Sequence, residues 1–388
     1  MTTEGQRYSL DRVEDVAKGM VGHWGGVGEQ REHGGLGERT RFSLIAHSRV
    51  AHAALLMVPA GRRDRKPTAA DASHPPGTMR RMRTTAETLD RLVDPRGPVD
   101  LRITLGALRH GPYDPGFAHR DGDWWRATRT PDGPATTRFS PEDDRVRVTA
   151  WGPGAAWALA HADGVVGATD DPAAFDPPRG LVRDLHRRHP GLRIPRTGAV
   201  FEAILPTIVE QKVTSIEAHA SYRRLLLAWG EPAPGPGRDL GLRVPPDPPE
   251  LSRRSYFEFH PFGIDRRRAT AIRTAAAHAS RLEDALAMDP AAAKRRLCAL
   301  PGLGPWTAAE VALVALGDAD AVPVGDYHLP HTVAWALAGE PRATHERMLE
   351  LLEPFAGHRG RAVRLLTLSG MQAPRFGPRA PLRSIRFL

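Results

Sequence analysis

The stretch Leu300-Pro301-Gly302-Leu303-Gly304-Pro305-Trp306-Thr307-Ala308 constrains the fold more than any other part of the chain. One apolar-periodic run ends near Leu300, and Pro305 opens the next. Proline suits the first helical position, where an N–H would have no intrahelical partner. Gly302 and Gly304 permit a tight turn and a close backbone approach. The sequence therefore predicts two helices joined by a glycine hairpin, with the first amides of the second helix pointing outward. Such amides attract an anion, and they grip a phosphate without reading bases. A plain interhelical turn uses the same residues, so this stretch alone does not decide its own role.

The pattern around it is helical. From about residue 180 the apolar spacing predicts helices over 180–188, 200–229, 266–281, 290–298, 305–316, 330–338, 344–355 and 359–368. The 231–249 stretch reads as a Pro/Gly linker. Residues 98–152 read instead as strands: 99–105 alternates apolar and polar, and 124–129, 135–139 and 145–151 follow, separated by Pro131-Asp132-Gly133 and Pro141-Glu142-Asp143-Asp144. An Ala-rich helix near 154–163 is expected to cover this sheet. The class is α+β: a small antiparallel β-rich unit over 96–178, a helical unit over 179–371 and a basic tail over 372–388. Residues 1–95, rich in Gly, Arg and His, bury too little apolar area to offset their ordering entropy and read as disordered, as a basic arm, or as the product of a misplaced start codon.

Composition adds less. The formal net charge of +9 points to a polyanionic partner, but the excess is nearly all Arg, as a GC-rich genome would also produce. The single Cys298 excludes an intrachain disulfide and a four-cysteine zinc or iron–sulfur site, and it suits a reducing cytoplasm. The apolar run at 53–58 is too short to span a bilayer. A cytoplasmic, nucleoid-associated monomer is the expectation.

A second motif lies downstream, at Val322-Pro323-Val324-Gly325-Asp326-Tyr327-His328-Leu329-Pro330. Asp326 stands just before a helix start, where a carboxylate serves as a cap or an Asx-turn. The hairpin followed by Gly325-Asp326-Tyr327 resembles the helix–hairpin–helix DNA glycosylase superfamily. The stretches 203–214, with Gln211 and Lys212, and 262–269, with Gly263 and Arg266-Arg267-Arg268, are also similar to it. The resemblance covers roughly 180–370, and the sheet is similar to that of the alkylation-repair (3-methyladenine) branch.

The resemblance implies an enzyme of base excision repair that binds damaged double-stranded DNA, flips an alkylated base and hydrolyses its N-glycosidic bond. Asp326 would be the catalytic carboxylate. Lyase-active members carry a Lys where this chain has Trp306, so hydrolysis without lyase activity is expected. Trp306, Tyr327, Glu310 and His358 fall at base-pocket positions, and Glu310 and His358 replace aromatics of the best-known pocket. A flipped cationic base suits an electron-rich slot, although Trp306 has core packing as its other reading. Leu300, Pro301, Gly302, Leu303, Gly304, Thr307 and Gln211 would face DNA. Lys212 is either the wedge that fills the gap left by the flipped base or a phosphate contact. Arg266, Arg267, Arg268, Arg359 and Arg361 are backbone contacts or solvated charges. No side-chain metal site is expected, and a monovalent cation on the Leu300 and Leu303 carbonyls is implied by the resemblance alone. The other readings are a glycosylase for oxidised, deaminated or mismatched bases, and a non-catalytic binder.

Overall fold

The computed structural model describes residues 88–374, so expectations for 1–87 and 375–388 lie outside the described residues. Five antiparallel strands form the sheet: β1 (Thr88–Val93), β2 (Phe117–Arg120), β3 (Asp123–Thr130), β4 (Gly133–Glu142) and β5 (Arg145–Trp151), in the order β1-β5-β4-β3-β2. Both predicted turns fall where the sequence places them. The alternation puts Ala135, Phe139, Val146, Val148 and Ala150 into the core. The Ala155–Ala160 helix covers them, held close because Gly154 has no side chain: a Cβ there would stand 2.3 Å from Thr130 Oγ1.

Two corrections concern this unit. Residues 99–105 are not a strand. Asp100 accepts from the Ile103 amide at 3.1 Å and starts the Leu101–Gly106 helix. Leu101, Ile103, Thr104, Leu105 and Gly106 are all buried there, so a helix enclosed on most sides mimics a strand's alternation. The missing strand is β1, inside the stretch expected to lack order. It pairs with β5 from Thr88↔Trp151 to Val93↔Val146.

The helical unit keeps most predicted elements. The run over 200–229 breaks in two, Val200–Val209 and Ser215–Trp229. Thr214 and Glu217 form a reciprocal capping box that starts the second helix, and Lys212 between the helices takes φ +55°. The expected linker is structured as well. Glu231–Pro232 pairs with Arg243–Val244, and Ala233, Leu242 and Val244 bury themselves against Ala127 of β3.

Two carboxylates hold this scaffold together. Glu283 accepts from the Val200 and Phe201 amides, both at 2.8 Å, satisfying the start of a helix that has no cap of its own. Glu202, from the first turn of the same helix, accepts from Arg126, from the Thr128 hydroxyl and from the Arg129 amide, which bolts the helix onto β3. No described helix is long and apolar enough to cross a membrane.

Candidate active site

The hairpin forms as expected between the Pro290–Cys298 and Pro305–Val311 helices. Leu303 is buried and its N–H donates to the Leu300 carbonyl at 3.1 Å, closing the turn. Gly302 takes φ +94°, and a Cβ there would stand 2.6 Å from Ala271 Cβ. Gly304 precedes Pro305 with no side-chain cap, and Pro305 occupies the first turn. Gln211 fastens the hairpin from below: its amide donates to the Gly302 carbonyl at 2.9 Å and to Thr307 Oγ1 at 3.0 Å. Lys212 follows it in the chain and is exposed.

The aspartate loop packs on the same helix. Gly325 takes φ +108°, which favours glycine, and a Cβ there would stand 3.4 Å from Trp306 Cβ, so the loop passes Trp306 at this residue. Asp326 is buried, and its Oδ1 accepts from the His328 and Leu329 amides, both at 2.8 Å. These bonds make the Asx-turn that leads into the Leu329–Ala338 helix, and they hold the carboxyl in one orientation. The two roles are compatible, since a carboxylate has two oxygens.

The structure separates the proposed pocket residues. Trp306 is half-buried and Glu310, one turn on, is only 1% exposed. Tyr327 is 77% exposed, edge-on to His328, and so stands outside any enclosed slot. His358 packs against Phe175 and lines a cavity of about 240 Å³ with Asp170, Asp171, Arg196 and Leu316. Trp306, Glu310, Asp326 and Tyr327 do not line that cavity. Burial and then the nearby Arg361 charge push the His358 imidazole below its ordinary value.

The arginines divide. Arg266 and Arg267 are exposed, with Arg266 over the Tyr256 ring at 4.9 Å. Arg268 is buried, donating to Asp265, to the Val209 carbonyl at 2.8 Å and to the Gly263 carbonyl at 2.9 Å. Arg361 is fully buried on Asp170. Both are internal braces and not surface contacts. Arg359 is also engaged: its amide and Nε donate to Asp320 Oδ1, each at 2.9 Å, and Nη2 to Oδ2. The pair holds the guanidinium to Asp320 and leaves its side chain 30% exposed.

The Arg359 pair has a pH signature. Burial alone would raise the Asp320 carboxyl, but the Arg359 hydrogen bonds outweigh it and hold the group below its ordinary value of 3.8. The resulting stability is present in full above the unfolded value and is lost as pH falls through the folded one. Asp320→Asn should therefore flatten the acid arm of the stability curve below about pH 4, as read by urea melts at several pH values. An unchanged acid arm would remove this pair from the account.

Comparison with known proteins agrees with this fold. No family model matches the chain. A solved 3-methyladenine DNA glycosylase from Archaeoglobus fulgidus superposes with a TM-score of 0.59 at 19% identity, over 72% of this chain and 97% of that one. The fold is that of the helix–hairpin–helix DNA glycosylases. A DNA-bound 8-oxoguanine glycosylase/lyase from Clostridium acetobutylicum superposes with a TM-score of 0.53 at 15% identity, over 67% of this chain and 88% of that one. A curated relative from Mycobacterium tuberculosis, a probable bifunctional transcriptional activator/DNA repair enzyme AlkA, is 30% identical over 220 residues. That alignment takes in 54% of this chain, which spans 43% of the relative's length. Among the described residues, no group of three or more His, Cys, Asp or Glu side chains is placed to hold a metal ion.

Residues the sequence reading passed over include Glu202 and Glu283, which position the Val200–Val209 helix that precedes Gln211, and Arg364 and Thr104, both buried. The clue for Arg364 is an arginine on the apolar face of the Arg359–Leu368 helix, between Val363 and Leu365.

Proposed function

We propose that this chain is a monofunctional DNA glycosylase that hydrolyses the N-glycosidic bond of an alkylated base extruded from duplex DNA. The observation that carries the reading is the approach of Gly325 to Trp306, which brings the loop carrying the amide-bound Asp326 carboxyl up to the hairpin helix. Departure of the base builds positive charge on the sugar, and a carboxylate at that point stabilises it and orients the attacking water. An alkylated purine is already cationic and leaves readily, so one strong electrostatic helper suffices.

DNA would be held by hairpin amides such as those of Gly304 and Thr307, with Lys212 entering or flanking the gap left by the base and Arg266 and Arg267 on the backbone. The turn's carbonyls are hard oxygen donors, and Leu300's keeps a lone pair beyond the one it gives to Leu303. Leu300 and Leu303 would thus hold a sodium or potassium ion, which would bridge the turn to a phosphate.

Trp306 has no amine to form a Schiff base, so the abasic product should stay uncut. The test is a panel of duplexes carrying 3-methyladenine, 7-methylguanine, hypoxanthine, 8-oxoguanine or a mismatch. Base release from the alkylated members, with strand cleavage only after alkali, is the expected result. Release of 8-oxoguanine alone would move the activity to oxidised bases. Binding without release from any member would leave a DNA-binding module. Strand cleavage without alkali would contradict the monofunctional assignment.

A further inference from the structure

The segment before the Arg266–Ala277 helix carries more aromatic surface than its own packing needs. It forms a short, tight helix over Tyr256–Phe262. In such a helix residues three apart line up in a ridge. Phe259 and Phe262 are buried on one ridge, edge-on to Trp229 at ring distances of 4.9 and 4.7 Å, and they fasten the segment to the core. Tyr256 stands at the outer end of that ridge and is exposed. Phe257 lies off the ridge and is 60% exposed. These two are the one consecutive pair of exposed large apolar side chains among the described residues. Single exposed rings are ordinary, whereas an adjoining pair rimmed by charge marks a contact surface.

The rings sit on a fixed platform. Ser255 and Glu258 cap the segment's start reciprocally, and Gly263 at φ +82° ends it. Arg224 donates to the Phe262 carbonyl at 2.7 Å and Arg268 to the Gly263 carbonyl at 2.9 Å. A surface held in place before contact loses less entropy on binding.

The charge around it is one-sided. Between residues 253 and 267 the only acids are Glu258 and Asp265. Glu258 accepts from Arg254 at 3.1 Å and from the Ser255 amide at 2.7 Å, and Asp265 accepts from Arg268 at 2.7 Å. Arg253, Arg266 and Arg267 are exposed and form no ion pair among the described residues. Arg266 lies over the Tyr256 ring. Arg267 shares a helix face with Ala271, whose Cβ lies 2.6 Å from where a Gly302 Cβ would stand. The rings and arginines therefore adjoin the hairpin turn.

We propose that Tyr256 and Phe257, flanked by Arg253, Arg266 and Arg267, form a second DNA contact on which an unpaired base stacks; the choice of DNA as partner rests on the glycosylase reading. Exposed rings suit nucleotides because every base has a π-face, and the guanidinium groups beside them neutralise the adjoining phosphates. A base inside an intact duplex has both faces covered by its neighbours, so the rings select unpaired nucleotides. The hairpin amides, by contrast, hold the backbone whatever its bases do. The two contacts together favour lesions that lie beside mismatched, gapped or frayed DNA.

The test is fluorescence anisotropy of the full chain with a short labelled oligothymidine and with a lesion-free, fully paired duplex of equal length. Phe257→Ala should weaken single-strand binding at least about fivefold, the loss of one base–aromatic stack, and duplex binding by less than about twofold. Phe257→Trp should keep the wild-type affinity and Phe257→Leu should not, since leucine supplies apolar area but no ring face. The side chain is mostly exposed, so these variants should melt like the wild type. Tyr256→Ala is the second variant and should shift binding in the same direction. Single-strand binding that is unmoved by Phe257→Ala and Tyr256→Ala, or kept by Phe257→Leu, overturns the surface and leaves the glycosylase reading intact. No base release from any damaged duplex, with ring-dependent single-strand binding retained, sinks the glycosylase reading and keeps the surface.

Discussion

Replacing Asp326 by Asn is expected to leave the protein folded and bound to duplex DNA while lowering base release by about two powers of ten or more. The substitution separates two duties that one side chain carries. Asp326 Oδ1 accepts from the His328 and Leu329 amides, and the amide oxygen of Asn can accept from both. Asn is as good a helix cap as Asp, so the melting temperature should move little. The negative charge disappears, and with it the stabilisation of a developing oxocarbenium ion. Asp326→Ala removes the charge and the cap together and should cost about 0.5–2 kcal/mol of stability as well. Full turnover by Asp326→Asn, measured under single-turnover conditions on 7-methylguanine DNA, would reduce this residue to a cap.

Gly302→Ala should be the most damaging change in the hairpin. The added methyl would stand 2.6 Å from Ala271 Cβ, and φ +94° is a conformation that L residues avoid. Backbone strain of about 1–2 kcal/mol adds to overpacking of about 1–3 kcal/mol. The turn can relieve both only by moving away from the Arg266–Ala277 helix, which would pull the Gly302 carbonyl off Gln211. Lower thermal stability and at least about tenfold weaker duplex binding are expected together. Gly304→Ala is the informative control, because nothing lies within 4 Å of its Cβ position. It should melt like the wild type and lose DNA affinity only where a phosphate approaches that Cβ. Normal stability and affinity in Gly302→Ala would show that the turn's conformation is unimportant.

The sequence was most legible where local chemistry dictates the backbone. The β3–β5 meander, its two turns, the glycine hairpin and the helices after it follow from punctuation by Gly, Pro and Asp. It was least legible where tertiary burial overrides periodicity. Leu101, Ile103 and Leu105 alternate like a strand because their short helix is enclosed, although Asp100 three residues before Ile103 was a usable cap signal. The split at Lys212 was written in Thr214-x-x-Glu217, a capping box hidden inside an otherwise continuous helical pattern. Proline and glycine in 231–249 suggested a linker, but the contact of Ala233, Leu242 and Val244 with the sheet depends on partners more than a hundred residues away.

For the candidate site, the motifs marked Asp326, Trp306 and Gln211, but they did not show that the Gln211 amide is engaged by the Gly302 carbonyl and Thr307. It could not say which arginines are free. Arg266 and Arg359 look alike in the sequence, yet one is exposed over a tyrosine and the other is engaged with Asp320.

The grip of Glu202 on Arg126, Thr128 and Arg129 of β3 joins sheet and helices into one mould. A mould without a hinge there cannot clasp a straight rod, so any duplex it engages has to supply the bending itself. Sites that are already soft, through lost pairing or weak stacking, would then settle in at lower cost than intact helix, and damage would be sensed mechanically before any atom of the base is read.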